Sequence, residues 1–99
     1  MDLNKLMQQA QKMQAEMKKK QDELENTVFE AEAAGGACKV RMYGNYTIDK
    51  IEIDKDAIDP NDKEMLEDMI KAAFNECVKK VKAASDKIAS DMQSSIKGF

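Results

Sequence analysis

Two runs of helical periodicity are too long for the short chain that contains them. Between Leu66 and Met92 the apolar residues Leu66, Ile70, Ala73, Phe74, Cys77, Val78, Val81, Ala84, Ile88 and Met92 recur at helical spacing, marking one face of an α-helix. The pattern predicts a helix over residues 60–95, with Pro60 in the first turn, where its missing amide proton does no harm, and an end near Ser94 and Ser95, before Gly98. Asp59, with Asp62 three residues later, imitates a capping box at its start. Unbroken, such a helix extends about 45–55 Å at about 1.5 Å per residue, whereas a compact globule of about 100 residues has a radius of gyration of about 13 Å. The helix must project or bend.

A second pattern opens the chain. Leu3, Leu6, Met7, Ala10, Met13, Met17 and Leu24 predict an amphipathic helix over residues 3–26, capped by Asp2. Leu3, Ala10, Met17 and Leu24 lie seven apart, as do Leu6 and Met13. That period suits a seam wrapping another helix, and Lys20 interrupts it.

Between the helices the period changes from that of a helix to that of a strand. Residues 27–34 bring β-branched and aromatic side chains into alternation, Gly35 and Gly36 allow a turn with positive φ, and residues 37–43 alternate Cys38, Val40 and Met42 with Lys39, Arg41 and Tyr43. After Gly44 and Asn45, residues 46–53 form a third strand in which Ile48 differs in parity from Ile51 and Ile53. A β-bulge or a face of mixed burial near Asp49 and Lys50 follows. The expected fold is α+β, in the order helix, three-stranded antiparallel meander, long helix, within one domain over residues 1–99. Three small strands cannot cover two over-long amphipathic helices, so a homodimer with projecting helical arms is the expected remedy.

Composition then removes most enzymatic classes. Histidine is absent, and with it the side chain best suited to proton transfer near neutral pH and the commonest metal ligand. Cys38 and Cys77 stand 39 residues apart, without the spacing of a zinc site or redox dithiol. Both fall in apolar patterns and read as small buried hydrophobes. Glu64, Glu67 and Asp68 crowd one turn, where they match the positive end of the helix dipole better than they make a catalytic pair. No catalytic residue, metal, cofactor or small-molecule substrate is expected. The longest stretch without a charge is seven residues, Met42 to Ile48, against about 18 for a membrane span. No signal peptide is legible at Met1 to Asn4. A cytoplasmic protein with no membrane partner is expected.

The net charge of −3 conceals a segregated distribution. Residues 1–20 carry five lysines against Asp2 and Glu16, and residues 71–99 carry six lysines against three acids. Residues 49–70, by contrast, hold nine acids against three lysines. Lys5, Lys12 and Lys19 repeat every seven residues opposite the apolar stripe, with Lys18 beside them; Lys79, Lys80, Lys82 and Lys87 form a comparable group in the second helix. Rows of ammonium groups neutralise phosphates and release counterions without reading bases, the sequence-independent mode of DNA binding. The bland reading is that these lysines only solvate outer helix faces.

Several segments resemble one known family. The run Leu6 to Gln14 (LMQQAQKMQ), the Gly35–Gly36 turn, Lys39–Val40 leading into Met42–Tyr43–Gly44, and Lys63 to Ile70 (KEMLEDMI) with Ala72–Ala73–Phe74–Asn75 are similar to the YbaB/EbfC family of bacterial nucleoid-associated proteins. The resemblance spans nearly the whole chain in unbroken order. It implies a small cytoplasmic, nucleoid-associated homodimer of α-β-β-β-α order with tweezer-like arms. It also implies that the protein binds duplex DNA with little sequence preference and influences nucleoid organisation or gene expression. Cys38 stands where an aliphatic residue is usual and Tyr43 where a small polar one is common, and the tail closes abruptly at Gly98–Phe99. The rival reading is a coiled-coil or prefoldin-like module gripping client protein through Met7, Met13, Met17, Met65, Met69 and Met92.

Overall fold

A computed structural model describes residues 2–97, with side chains through residue 94. Helix α1 (Leu3–Glu25) leads into strands β1 (Val28–Ala33), β2 (Cys38–Tyr43) and β3 (Ile48–Ile53), and helix α2 (Lys63–Lys97) follows. The strands form an antiparallel sheet of order β1-β2-β3. The molecule measures 71 × 20 × 16 Å with a radius of gyration of 19.7 Å, so the long helices do project, as their length requires. The chain end at Gly98 and Phe99 lies outside the described residues.

Helix α1 starts where Asp2 accepts the Asn4 amide at 3.0 Å. It stops where the Asn26 side chain donates to the Asp22 carbonyl at 2.8 Å and the Thr27 hydroxyl to the Glu23 carbonyl at 2.6 Å, meeting carbonyls the helix leaves unpaired. Helix α2 begins at Lys63, later than the sequence pattern suggests. Pro60 lies in the preceding turn, and Asp59 accepts the Asn61 amide at 2.9 Å in an Asx turn. The N-capping carboxylate belongs to Asp62, which accepts the Met65 amide at 3.1 Å. The far end runs two residues past residue 95, to Lys97.

The core lies where α2 crosses β1 and β2. Ala31, Cys38, Val40 and Met42 from the sheet meet Met69, Ala73, Cys77 and Val81 from the helix, and all eight are buried. Ala73 and Cys77 are small enough to let helix and strands approach closely. The Cys77 thiol donates to the Val40 carbonyl at 3.1 Å. Burial raises both thiols above their ordinary pKa, with nearby Lys80 opposing this for Cys77. The two cysteines are therefore packing groups.

The parity conflict in β3 is resolved by a bulge. Arg41 pairs with Lys50 and Met42 with Ile48, so Asp49 is the extra residue. Ile48, Ile51 and Ile53 consequently lie opposite Met42, Val40 and Cys38 on one face. Tyr43 spans this bulge: its hydroxyl donates to Asp49 at 3.1 Å, and Arg41 Nε sits 3.7 Å from the same carboxylate. That hydrogen bond to Asp49 is the leading cause of the raised phenol pKa. The strand begins at Ile48, two residues later than residue 46, because Tyr46 is turned to φ 67° in the hairpin loop. Asn45 accepts the Thr47 amide there at 3.0 Å.

Gly44 fixes how the arm meets the sheet. Its amide donates to the Thr27 carbonyl at 3.0 Å, and a Cβ at this position would stand 1.9 Å from the Leu24 carbonyl oxygen. Gly44→Ala is expected to destabilise the fold by about 1–3 kcal/mol, the usual cost of overpacking, by forcing the end of α1 off the β2–β3 turn. A chemical-denaturation midpoint indistinguishable from the parent's would show that this approach does not hold the arm.

The apolar stripe of α1 is only partly covered within the chain, and Leu3, Leu6, Met7 and Met17 stay exposed. Ala10, Met13 and Met17 line a groove with Ala89 and Met92 of α2, and Leu24 is buried at the base of the arm. A second unpartnered apolar surface lies on β3, which α2 leaves uncovered. Ile51 is 42% exposed although its cross-strand neighbour Val40 is fully buried, and Ile48 on the same face is exposed as well.

Candidate nucleic-acid interface

All eight lysines singled out by charge are solvent-exposed, yet they do not form one surface. At 100° per residue, Lys5, Lys12 and Lys19 fall within about 40° of one another, roughly opposite the groove-lining stripe, and span about 21 Å of α1. Lys18 projects from the adjoining flank. None of these four makes a hydrogen bond or ion pair with a described residue. Lys18 and Lys19 border a recess that also holds Asp22 and Glu23, so the least compensated positive charge lies toward the tip, at Lys5 and Lys12.

The α2 group divides. The helical spacing sets Lys80 and Lys87 on one flank and Lys79 and Lys82 on another. Lys79 sits 3.3 Å from the Glu76 carboxylate. Lys80 donates to the Glu30 backbone carbonyl at 2.6 Å, occupying an acceptor on the exposed edge of β1, where a charged side chain also discourages strand addition. Both ammonium groups already have partners that a phosphate would have to displace. Lys82 and Lys87 have none among the described residues. Lys20, which interrupts the stripe, is half-buried in the groove between the helices with Leu24, Ile88 and Asp91.

The sheet carries cations too, and here the register neutralises them. On its outer face Glu30 lies opposite Arg41, and Lys39 lies between Glu32 and Glu52. Lys50 reaches Glu52 at 2.7 Å, which lowers the Glu52 pKa. Lateral pairing of this kind is invisible in a running charge sum.

Helix α1 arranges its charges against its own dipole. No acid lies in its first turn beyond the cap, where Lys5 sits, and no base in its last, which holds Glu23 and Glu25. Each misplaced charge costs about 0.3–1 kcal/mol at low ionic strength. In α2 the order is favourable, with Glu64 in the first turn. Of the lysine row only Lys5 lies in the first turn and meets this cost; Lys12, Lys18 and Lys19 lie beyond it.

Half of the methionines proposed as a client grip are taken up by packing. Met69 and Met92 are buried and Met13 is half-buried, leaving Met7, Met17 and Met65 exposed at separate places.

Fold and surface together define a class: an α-β-β-β-α protein whose paired helices form an arm outside the helix-on-sheet core. The same fold occurs in a solved structure, the uncharacterized protein HP0035 from Helicobacter pylori, with a TM-score of 0.78 at 22% identity over 94% of this chain and 98% of that one. The chain belongs to the YbaB/EbfC DNA-binding family, whose model matches residues 1–96. A nucleoid-associated protein of Francisella philomiragia is 52% identical over 84 residues, covering 85% of this chain and 75% of the relative. One of Buchnera aphidicola is 44% identical over 95 residues, covering 96% and 86%.

Proposed function

We propose that the chain acts as a single YbaB/EbfC-like domain over residues 1–99, forms an isologous homodimer, and binds duplex DNA without a catalytic step. Phosphate contacts come mainly from Lys5, Lys12, Lys18 and Lys19 on α1, with Lys82 and Lys87 supplementing them and Lys79 and Lys80 contributing less. The observation that carries this reading is the row of ammonium groups on the outer face of α1 that have no hydrogen-bond or ion-pair partner among the described residues. At about 3.4 Å per base pair its length of about 21 Å matches roughly six base pairs. The uncovered isoleucines of β3 support the dimer, since apolar strips of this kind are covered by a partner. Acidic residues around the core discourage contact with DNA elsewhere. Such a protein resides in the cytoplasm at the nucleoid and serves nucleoid organisation or gene regulation.

The test is the salt dependence of duplex binding. A dimer using about six lysines in this way should show a slope of log affinity against log salt near −5, and similar affinity for unrelated sequences. A slope near zero, or strong preference for one sequence, would reject phosphate neutralisation as the source of binding.

A further inference from the structure

Sulfur fills the outer half of the arm. There the two helices flank an open groove of about 470 Å³, in which Met13 and Met17 of α1 face Met92 of α2 between Ala10 and Ala89. Its polar lining residues, Gln14 and Gln93, make no side-chain hydrogen bond with a described residue. Alanine offers little apolar surface, so the thioethers supply most of what seats α1 on α2 here. Nearer the sheet the seat is hydrocarbon: Leu24, Phe29, Ala84 and Ile88 line a second groove, and Leu24 is buried.

The lysine row straddles this division. Lys5 and Lys12 lie on the methionine-seated half of α1, whereas Lys18 and Lys19 lie toward its base. Most helical stability in proteins comes from the packing of an apolar face. Helix α1 has little else to draw on, since Lys5 in its first turn and Glu23 and Glu25 in its last oppose the dipole.

We propose that peroxide oxidation of Met17 and Met13 unseats the outer half of α1 and disorders the Lys5 and Lys12 end of the row, making the arm a redox switch. Hydrogen peroxide transfers one oxygen atom to sulfur. The S–O bond forms as the O–O bond breaks, the thioether is oxidised by two electrons to a sulfoxide, and the peroxide is reduced to water. The new S–O dipole demands hydrogen bonds that apolar groove walls cannot give, and water meets that demand only as the helices part. Met17 is 42% exposed and is reached first, whereas Met42 and Met69, sealed in the core, stay reduced while the protein is folded. Met7 is 60% exposed but lies outside the groove, so its oxidation leaves the arm seated.

Release of the arm requires no nucleic acid; only its consequence for affinity rests on the DNA-binding reading. In the full chain, oxidised until mass spectrometry shows one added oxygen at both Met13 and Met17, amide exchange across residues 7–17 should quicken without DNA. The increase should be at least about tenfold, the factor carried by the burial of one methionine, with the sheet unchanged. Duplex affinity should fall by about 30-fold, the cost of reordering a released segment on binding. Methionine sulfoxide reductase with a dithiol should restore both. A variant combining Met13→Leu, Met17→Leu and Met92→Leu, which nearly conserves volume, should match the untreated parent and ignore peroxide although Met7 still oxidises. Unchanged exchange in the doubly oxidised parent, or an equal response by the leucine variant, overturns the proposal. Faster exchange with unchanged affinity sustains the switch and rejects the α1 row as the DNA contact.

Discussion

Exchanging Lys5, Lys12 and Lys19 together for glutamate is expected to lower affinity for duplex DNA by at least about 10³-fold at about 0.05 M salt, leaving dimerisation and helicity unchanged. The magnitude follows from counterion release. With about six phosphate contacts per dimer and a slope near −5, a fourfold rise in salt alone weakens binding by about 10³, so deleting those contacts and adding repulsion does no less. Replacement by arginine should retain both affinity and slope, because the charge persists. Reversal of Lys79 and Lys80 should have a much smaller effect, since Glu76 and the Glu30 carbonyl already engage their ammonium groups. A fluorescence-anisotropy salt series on the three variants checks all of this. Equal loss in the α1 and α2 variants would mean that general charge, rather than a row on one arm, governs binding.

That contrast between the helices shows what the sequence could and could not disclose. Element order was legible because the periods change from 3.6 to 2 and back at residues that also carry turn chemistry, such as the Gly35–Gly36 pair. The clash of parity in β3 announced the bulge at Asp49, because a strand holding three isoleucines on one face needs an extra residue. The identity of the α2 cap was not legible. Asp59 and Asp62 are the same residue type three apart, and only the turn around Pro60 decides which one meets the helix. The exposed rail on α1 could be counted from spacing, but the fate of each lysine depends on contacts across the fold. Lys80 meets a strand 50 residues away, and no local pattern encodes that. The apolar stripes were legible only in part: α1 lays the middle of its stripe along Ala89 and Met92 of α2 while its first turns stay exposed, and β3 adds an uncovered apolar face that the helical periods do not announce.

The second large effect is therefore expected on β3. Ile51→Asp should convert the dimer to monomers, raising the dissociation constant by about 10³–10⁴-fold, with little change in the stability of the isolated chain. Ile51 lies at the middle of the strand, paired with buried Val40, and is nevertheless 42% exposed, so the monomer loses little from the change. In the dimer the loss is large, because an isologous interface counts every substitution twice. Burying an isoleucine is worth about 1.5–3 kcal/mol, and about 2–3 kcal/mol lost per copy sums to about 5 kcal/mol, at about 1.4 kcal/mol for each factor of ten. Glu52→Ala, one residue along on the opposite face and tied to Lys50 at 2.7 Å, is the control that should leave the dimer intact. Sedimentation equilibrium distinguishes the outcomes. If Ile51→Asp remains as dimeric as Glu52→Ala, the copies meet through another surface. If it is monomeric and still binds duplex at the parent's affinity, one arm suffices for DNA and the paired-arm reading falls even though the interface was placed correctly.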